Sequence, residues 1–395
     1  MNLLQVSTSP RYPPKSGGDH RCHGLLTAFL DADDTIIRYS QRSSLSAHFD
    51  TSFQETVDIA RNYREVRNVS LLENTSRVLG ALRLPSSPTL GLYLRLRPTE
   101  RLRSFVRWAD IILVEGPWQV YPLAKMAADT PVVYSSHNVE FKHYEHLSSG
   151  LKWPLFAWIR HIERKAVQSA DGVVCVSRSD IEQFRETWEF EADLFLVPNA
   201  IYESDLAQSP AEEGITVDVP DEIPEGKTTC LFVGSNRPQN VQAARSLVSL
   251  ASSFRGDIHV VIVGSVGRAI SKLPPNVTTT GFVDDLNPYY FHSDVALNPV
   301  TAGAGTNIKL LEYFAKQIPV ISTRFGIRGY DIDDGYHVTV ASPEKMLEAA
   351  SELTRSVKRR RRQTEAAFEF VRTRTWRNVS SKLRSDLETA FFDHS

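Results

Sequence analysis

The sequence predicts an α/β protein of two domains, each a parallel sheet covered by helices. Three observations carry this. The chain has 395 residues, beyond the roughly 250–300 at which a single hydrophobic core stops growing. Short apolar, β-rich runs alternate with longer helical patterns, as in sheets whose strands are joined by helical crossovers. That alternation breaks once, at an acidic stretch punctuated by prolines, and then starts again.

The strand candidates of the first half are Leu3–Val6, Ile111–Glu115, Val132–Ser135, Gly172–Val176 and Leu194–Val197. Ser179-Asp-Ile-Glu182 reads as a capping box opening a helix, the serine hydroxyl accepting from a backbone N–H and the glutamate reaching back. Between Glu203 and Lys227 the character changes: Glu212, Glu213, Asp218, Asp221, Glu222 and Glu225 stand with Pro210, Pro220 and Pro224. Such a stretch is a linker or surface excursion. The second half gives strands at Thr229–Val233, His259–Val263, Val277–Thr280, Val295–Asn298 and Pro319–Thr323, then helical character from Pro343 to the end. The resulting domains are 1–203 and 228–372, with 204–227 between them and a final helix over 373–395. In that helix Val379, Leu383, Leu387 and Phe391 recur every four residues, an apolar face that must dock on something.

Composition is that of a globular protein: 42% hydrophobic, 23% charged and 10% aromatic, with a formal net charge of −2. Nothing in that balance drives the chain toward nucleic acid or an anionic membrane. Lys358-Arg-Arg-Arg-Arg362 is a local exception. Its plain reading is a solvated helix face; its sharper one is a weak peripheral contact with anionic lipid. The cysteines Cys22, Cys175 and Cys230 form neither a metal pair nor a disulfide framework, and they read as small core residues in a reducing compartment. Residues 1–9 lack the basic start and apolar stretch of a signal peptide, and no apolar run approaches a membrane span. A cytoplasmic protein is expected.

Chemistry concentrates in Asn298-Pro-Val-Thr-Ala-Gly-Ala-Gly-Thr-Asn-Ile-Lys-Leu-Leu-Glu312: a strand end, a small-residue loop, then a helix. Gly303 and Gly305 allow close approach of a ligand to backbone. Thr306 or Asn307 is placed to cap the helix. The uncapped N–H groups and positive dipole end of such a helix attract a diphosphate, and Lys309 adds a full charge. Glu312, one turn on, can accept from the two hydroxyls of a ribose. The competing reading is an empty turn with a Lys309–Glu312 surface pair.

Around this loop, Gly281-Phe-Val-Asp-Asp-Leu286, Tyr289-Tyr-Phe-His-Ser-Asp294 and Pro319-Val-Ile-Ser-Thr-Arg-Phe-Gly-Ile-Arg-Gly329 follow in fixed order. In order and spacing they resemble the C-terminal domain of the retaining glycosyltransferases of the group 1 type, family 4 of the carbohydrate-enzyme classification. Pro13-Pro-Lys-Ser-Gly-Gly18, Ser136-His-Asn138, Ile162-Glu-Arg-Lys-Ala166, Ala170–Ser177 and Val197-Pro-Asn199 resemble segments of its N-terminal half. The resemblance implies a GT-B fold: two Rossmann-like domains facing a cleft, the last helix crossing back to the first. It implies a UDP- or GDP-sugar donor on the second domain and a carbohydrate or lipid-linked acceptor on the first. By the same resemblance His137, Lys309 and Glu312 are the catalytic candidates. Gly17, Gly18, Gly234, Arg237, Phe282, Val283, Gly303, Gly305, Thr306 and Asn307 line the donor site. No metal or cofactor is implied; Asp284-Asp285 reads as a solvated turn.

Two departures stand out. The family's paired-glutamate motif keeps its second member, Glu312, but Ala304 replaces the first, as in a subgroup with Gly-x-Gly-Thr-x-x-Lys-x-x-Glu. After the strand ending at Val233, the family's usual arginine and lysine are Ser235 and Asn240. Arg237 and Lys309 remain to meet the diphosphate, though Arg237 reads equally as a turn residue before Pro238. A nucleotide-sugar epimerase and a non-catalytic scaffold stay open as alternatives. A Rossmann dehydrogenase is disfavoured, because no Gly-x-Gly-x-x-Gly follows the first strand.

Overall fold

In the computed structural model the described residues are all but 33, 72–73, 75–77, 79–87, 146–149, 207–216, 304 and 394–395; side chains 88, 90, 92 and 151 are also outside the description. Ala304, Pro210, Glu212 and Glu213 therefore lie outside it. The chain forms two compact units, Met1–Pro198 with Trp376–Ser395, and Asn199–Thr375.

The first unit holds an eight-stranded sheet ordered β3-β4-β2-β1-β5-β6-β7-β8. The strands are β1 Asn2–Ser7, β2 Thr35–Ser43, β3 Thr56–Ala60, β4 Tyr63–Ser70, β5 Ile111–Glu115, β6 Val132–Ser135, β7 Gly172–Cys175 and β8 Asp193–Leu196. Only the β3–β4 pair is antiparallel. The second unit's sheet is parallel and ordered β11-β10-β9-β12-β13-β14. Its strands are β9 Thr228–Val233, β10 Ile258–Val263, β11 Val277–Thr279, β12 Val295–Asn298, β13 Val320–Ser322 and β14 Thr339–Val340. Each strand expected from its apolar run is present, with ends shifted by at most two residues. Helices bury both faces of the second sheet, as parallel sheets require.

Strands β2, β3, β4 and the two-residue β14 were not expected, and burial explains β2 and β4. β2 carries Arg38, Ser40 and Gln41, and β4 carries Glu65 and Arg67, all buried. Register pairs Gln5 with Arg38 and Arg38 with Glu65 across adjacent strands. Arg38 Nε donates to Gln5 Oε1 at 2.7 Å, and Arg67 donates to Glu65 Oε2 at 3.1 Å. A strand that buries charge beside its complement does not read as an apolar run. β3 alternates exposed and half-buried residues at the sheet edge.

Three expectations need correction. The capping serine is Ser177, two residues earlier than Ser179: its hydroxyl accepts from Asp180 N–H and opens the helix Arg178–Thr187. Gly17 and Gly18 lie in the first turn of a helix, Gly17–Gly24, capped by Ser16, and not in an open glycine loop. The described part of the acidic stretch belongs to the second unit. Glu222 accepts from Tyr289 Oη at 3.0 Å, Val217 O lies 2.9 Å from His292 Nε2, and Ile223 is buried.

The last helix, Trp376–Phe391, docks on the first unit against the helix Thr27–Asp31. Trp376, Ser380, Leu383 and Leu387 are buried, while Val379 and Phe391 at the edges of that face are half-buried. Ser380 Oγ donates to Leu25 O at 2.7 Å and accepts from Ala28 N–H at 2.9 Å. Gly24 is needed for the approach, since a Cβ there would sit 2.2 Å from Trp376 Cδ2. The run Lys358–Arg362 lies on the largely exposed face of the helix Val357–Arg372, with Arg361 paired to Glu365 at 2.7 Å. The three cysteines are buried and unpaired.

If docking of the last helix is part of the first unit's core, Leu383→Ala should lower unfolding free energy by about 2–5 kcal/mol. The exposed Lys382→Ala should change it by no more than about 0.5 kcal/mol. Urea denaturation followed by circular dichroism reads both, and equal small effects would contradict the docking.

Candidate functional site

Functional residues gather at the C-terminal ends of the strands in each unit, where parallel sheets place ligands. In the second unit β12 ends at Asn298, and the following loop turns through Gly303 (φ +128°) and Gly305 (φ +65°), conformations that favour glycine. The helix Ile308–Ala315 then begins. Asn307 holds its N-cap position, but neither Asn307 nor Thr306 caps it as expected. Asn307 Nδ2 donates instead to Asn298 Oδ1 at 2.7 Å, and Thr306 Oγ1 accepts from Asn199 Nδ2 at 2.7 Å. Asn298 in turn donates to Ser322 Oγ and Gly326 O at 3.0 and 3.2 Å. Asparagines thus pin the loop to β12 and β13, and among the described residues the N-cap side chain does not bond to the helix's first N–H groups.

Lys309 stands in this first turn. Its Nζ donates to Asn240 Oδ1 at 2.9 Å and lies 4.9 Å from the centre of the Phe232 ring. Asn240 Nδ2 donates to Ser235 O and Oγ at 3.0 and 3.1 Å. The two positions that depart from the family pattern therefore touch each other, and one of them holds Lys309. Burial lowers the lysine to about 8, with the nearby Glu312 charge acting the other way. Glu312 is no surface partner of Lys309: its Oε2 accepts from buried Tyr290 Oη at 3.1 Å, and burial raises its carboxyl above the usual range.

Gly234 and Gly264 close the ends of β9 and β10. A Cβ on Gly264 would lie 2.5 Å from Gly234 O. Arg237 is exposed at the start of the helix Pro238–Ser253 and makes no ion pair among the described residues. Phe282 is 72% exposed and Val283 packs at the edge of the core. Asp284 and Asp285 are exposed, and Asp285 accepts from Asn287 N–H. Arg328, to which the sequence gave no role, brings Nη2 within 3.8 Å of where a Cβ on Gly303 would be.

In the first unit His137 follows β6, and its Nε2 lies 2.6 Å from Glu115 Oε2 at the end of β5. Glu115 Oε1 accepts from Gln5 Nε2 at 2.5 Å. Burial alone would raise the Glu115 carboxyl, but His137 and then Arg21 hold it down at about 2. A carboxylate bound to one ring nitrogen fixes the imidazole's orientation. Gly18 lies by the other edge: a Cβ there would be 3.5 Å from Nδ1. Cys22 Sγ is 3.7 Å from His137 Nε2, so Cys22, Glu115 and His137 are three donors within 4.8 Å of one another. Burial and then Glu115 push the Cys22 thiol far up, and the charges of Arg11 and Arg38 reach it as well.

The loop bearing His137 is held from behind by Glu163, which is fully buried in the helix Trp153–Ser169. Its oxygens accept from Glu140 N–H and Phe141 N–H, each at 2.8 Å, and from Tyr134 Oη at 3.1 Å. Burial, and the Glu140 charge beside it, raise the Glu163 carboxyl.

The family described as Glycosyl transferases group 1 matches residues 227–356, and Glycosyltransferase Family 4 matches residues 57–205. No curated protein sequence matches the chain. Sucrose-phosphate synthase from Thermosynechococcus elongatus is similar in structure over 100% of both chains, with TM-score 0.75 and 14% identity. HepE of Anabaena in complex with UDP gives TM-score 0.67 at 13% identity, over 98% of this chain and 100% of its own. WaaG, a glycosyltransferase involved in lipopolysaccharide biosynthesis, gives 0.63 at 16%, over 97% and 99%. At such identities these likenesses show the fold, which is GT-B.

Glu163→Ala should strand two buried amide donors at about 1–3 kcal/mol each, lowering unfolding free energy by at least about 2 kcal/mol. Glu163→Gln, which keeps one acceptor oxygen, should lose less. Chemical denaturation of the two variants checks this, and equal stability of both with the parent would contradict it.

Proposed function

The chain is a glycosyltransferase of the group 1 and family 4 type, and from that premise we propose that it transfers a sugar from a UDP- or GDP-sugar to an acceptor hydroxyl with retention and without a bound metal. The observation that carries the reading is Lys309. An ammonium, partly buried, stands at the positive end of an uncapped helix, with only an amide oxygen and a ring face as partners. Both burial and the helix dipole disfavour that charge. A diphosphate relieves both, and it meets the free N–H groups as well.

In this reading Glu312, oriented by Tyr290, receives the ribose, and Lys309 with Arg237 and Arg328 faces the diphosphate. Gly234, Gly303 and Gly305 let the ligand reach backbone, Thr306 and Asn307 hold the loop, and Phe282 and Val283 flank the base. The acceptor oxygen bonds to the anomeric carbon as the bond from that carbon to the diphosphate oxygen breaks. The diphosphate keeps the electron pair, and the hydroxyl proton leaves with it or to solvent. Donors fixed in advance around the departing phosphate lower the barrier as its charge develops. His137, held by Glu115 and backed by Gly17 and Gly18, supplies a hydrogen bond to the sugar or the departing phosphate. The Cys22–Glu115–His137 group is hydrogen-bonded and ringed by arginines, which supports the metal-free reading. The HepE complexes with UDP and UDP-glucose support trying uridine first. The acceptor is a carbohydrate or lipid-linked glycan, met in the cytoplasm or at the inner face of a membrane.

Lys309→Met should weaken UDP or GDP far more than the bare nucleoside and flatten the salt dependence of binding. Glu312→Gln should cost one to a few factors of ten in affinity, at about 1.5–3 kcal/mol per charge-assisted bond, and should erase the preference for ribose over deoxyribose. Calorimetric titration across a nucleoside, deoxy-diphosphate and ribo-diphosphate series checks both. Parental affinities throughout would put the donor elsewhere.

Affinity should also depend on pH. The free protein gives up the Lys309 proton near pH 8, whereas a bound diphosphate holds it on. Nucleotide affinity is therefore full below pH 8 and falls above it, by up to about tenfold per unit. The Lys309→Met profile should stay flat over that window. Binding should persist unchanged in EDTA, and its loss there would overturn the metal-free reading.

A further inference from the structure

The helix Trp153–Ser169 in the first unit has a face that neither the core nor the site uses. Ile159, Glu163, Ala166 and Val167 are buried on its inner side. Outward stand Trp153, 57% exposed, and Trp158, 36% exposed. With them stand Arg160, His161 and Arg164, and Lys152 just ahead of the helix, all exposed. The helix's one carboxylate is Glu163, and it is turned inward to hold the Glu140–Phe141 turn. Among the described residues Lys152, Arg160 and Arg164 make no salt bridge, and Arg160 lies 5.9 Å from the centre of the Phe141 ring. The face therefore joins large, exposed indole rings to unpaired positive charge, with no negative charge of its own.

The neighbouring helix Val120–Ala124, which packs against this one, carries a similar combination of ring and charge. Arg95 and Lys125 each lie 5.8 Å from the centre of the Tyr121 ring. They border a pocket of about 340 Å³ with Leu96, Pro122 and Met126, and no carboxylate lines it. Leu96 is 68% exposed.

We propose that this surface, centred on Trp153, Trp158, Arg160 and Arg164, docks the first unit on an anionic lipid bilayer. Tryptophan sits at the headgroup level of a membrane, where its ring is half in hydrocarbon and its N–H stays wet. Lysine and arginine beside it meet lipid phosphates, and each contributes through the negative surface potential. Helices that lie in the interface combine these features. A protein partner would need a complementary acidic surface with grooves for two indoles. A bilayer of anionic lipid offers both without shape matching. The basic run Lys358–Arg362 offers charge but no exposed indole beside it, so it is the weaker contact.

The test is co-sedimentation of the full chain with phosphatidylglycerol–phosphatidylcholine vesicles and with phosphatidylcholine vesicles. Anionic vesicles should bind the protein at least about tenfold more tightly, since several cations act together. Trp153→Ser with Trp158→Ser, and separately Arg160→Gln with Arg164→Gln, should each reduce that binding about tenfold or more. Both double variants should keep the parental UDP affinity, and the tryptophan variant the parental thermal melt, because both indoles are exposed; the arginine variant also loses the contact of Arg160 with the Phe141 ring. Lipids brominated in the chain should quench parental tryptophan fluorescence and quench the double tryptophan variant less. Equal vesicle binding by parent and variants would overturn the proposal. So would binding lost only when Arg359–Arg362 are changed to glutamine, or capture by nucleic acid without capture by vesicles.

Discussion

A half-buried cation whose bonded partners among the described residues are neutral is the constraint on which the second unit's site depends. Lys309 has its hydrogen bond to Asn240, its ring contact with Phe232, and a helix N-terminus behind it. Glu312, one turn away, accepts from Tyr290 and makes no ion pair with it. The free protein thus keeps a charge it has not neutralised, in a place where water is partly excluded. Such a charge is costly without a counter-charge, and an anion would relieve it. The asparagines of the loop set its backbone: Asn307 is tied to Asn298, and Asn298 to Ser322 and Gly326.

The first unit solves a related problem in the opposite way. Its sheet buries charge as well, but in pairs. Gln5 bridges Arg38 and Glu115 across β2, β1 and β5, and Arg67 pairs with Glu65 within β4. Removing one member of such a network leaves the others desolvated and unpaired. What it presents is a histidine whose orientation is set by Glu115 and whose loop is set by Glu163. Rigidity is the contribution here, and charge stays balanced.

How much of this was legible in the sequence depends on what each element buries. Strands with continuous apolar runs, such as Ile111–Glu115 and Val295–Asn298, were read to within a residue, because burial on both faces leaves that signature. β2 and β4 were invisible, since Arg38 and Glu65 are buried by partners that lie elsewhere in the chain or on a neighbouring strand, Gln5 for the one and Arg11 N–H and Arg67 for the other. The loop at Gly303–Gly305 and the face of the last helix were legible from glycine placement and from spacing. The partners were not. Glu115 lies 22 positions from His137, and Asn240 lies 69 from Lys309. Nothing local marks either pair. The expected caps at Thr306 and Asn307 failed for the same reason, as distant asparagines claimed both side chains. The departures at Ser235 and Asn240 were legible as departures, yet only the fold reveals that they accommodate Lys309.

The central claim is that this unneutralised site belongs to a nucleoside diphosphate. The most direct measurement is the thermal stability of the whole chain against UDP, GDP, ADP and their sugars, each without added metal. A ligand at 100 times its Kd adds about 2.7 kcal/mol to the folded state. The account predicts that one nucleotide, as diphosphate and as diphospho-sugar, raises the melting temperature by several degrees, while its nucleoside does not. A panel in which no diphosphate stabilises more than inorganic phosphate does would contradict it.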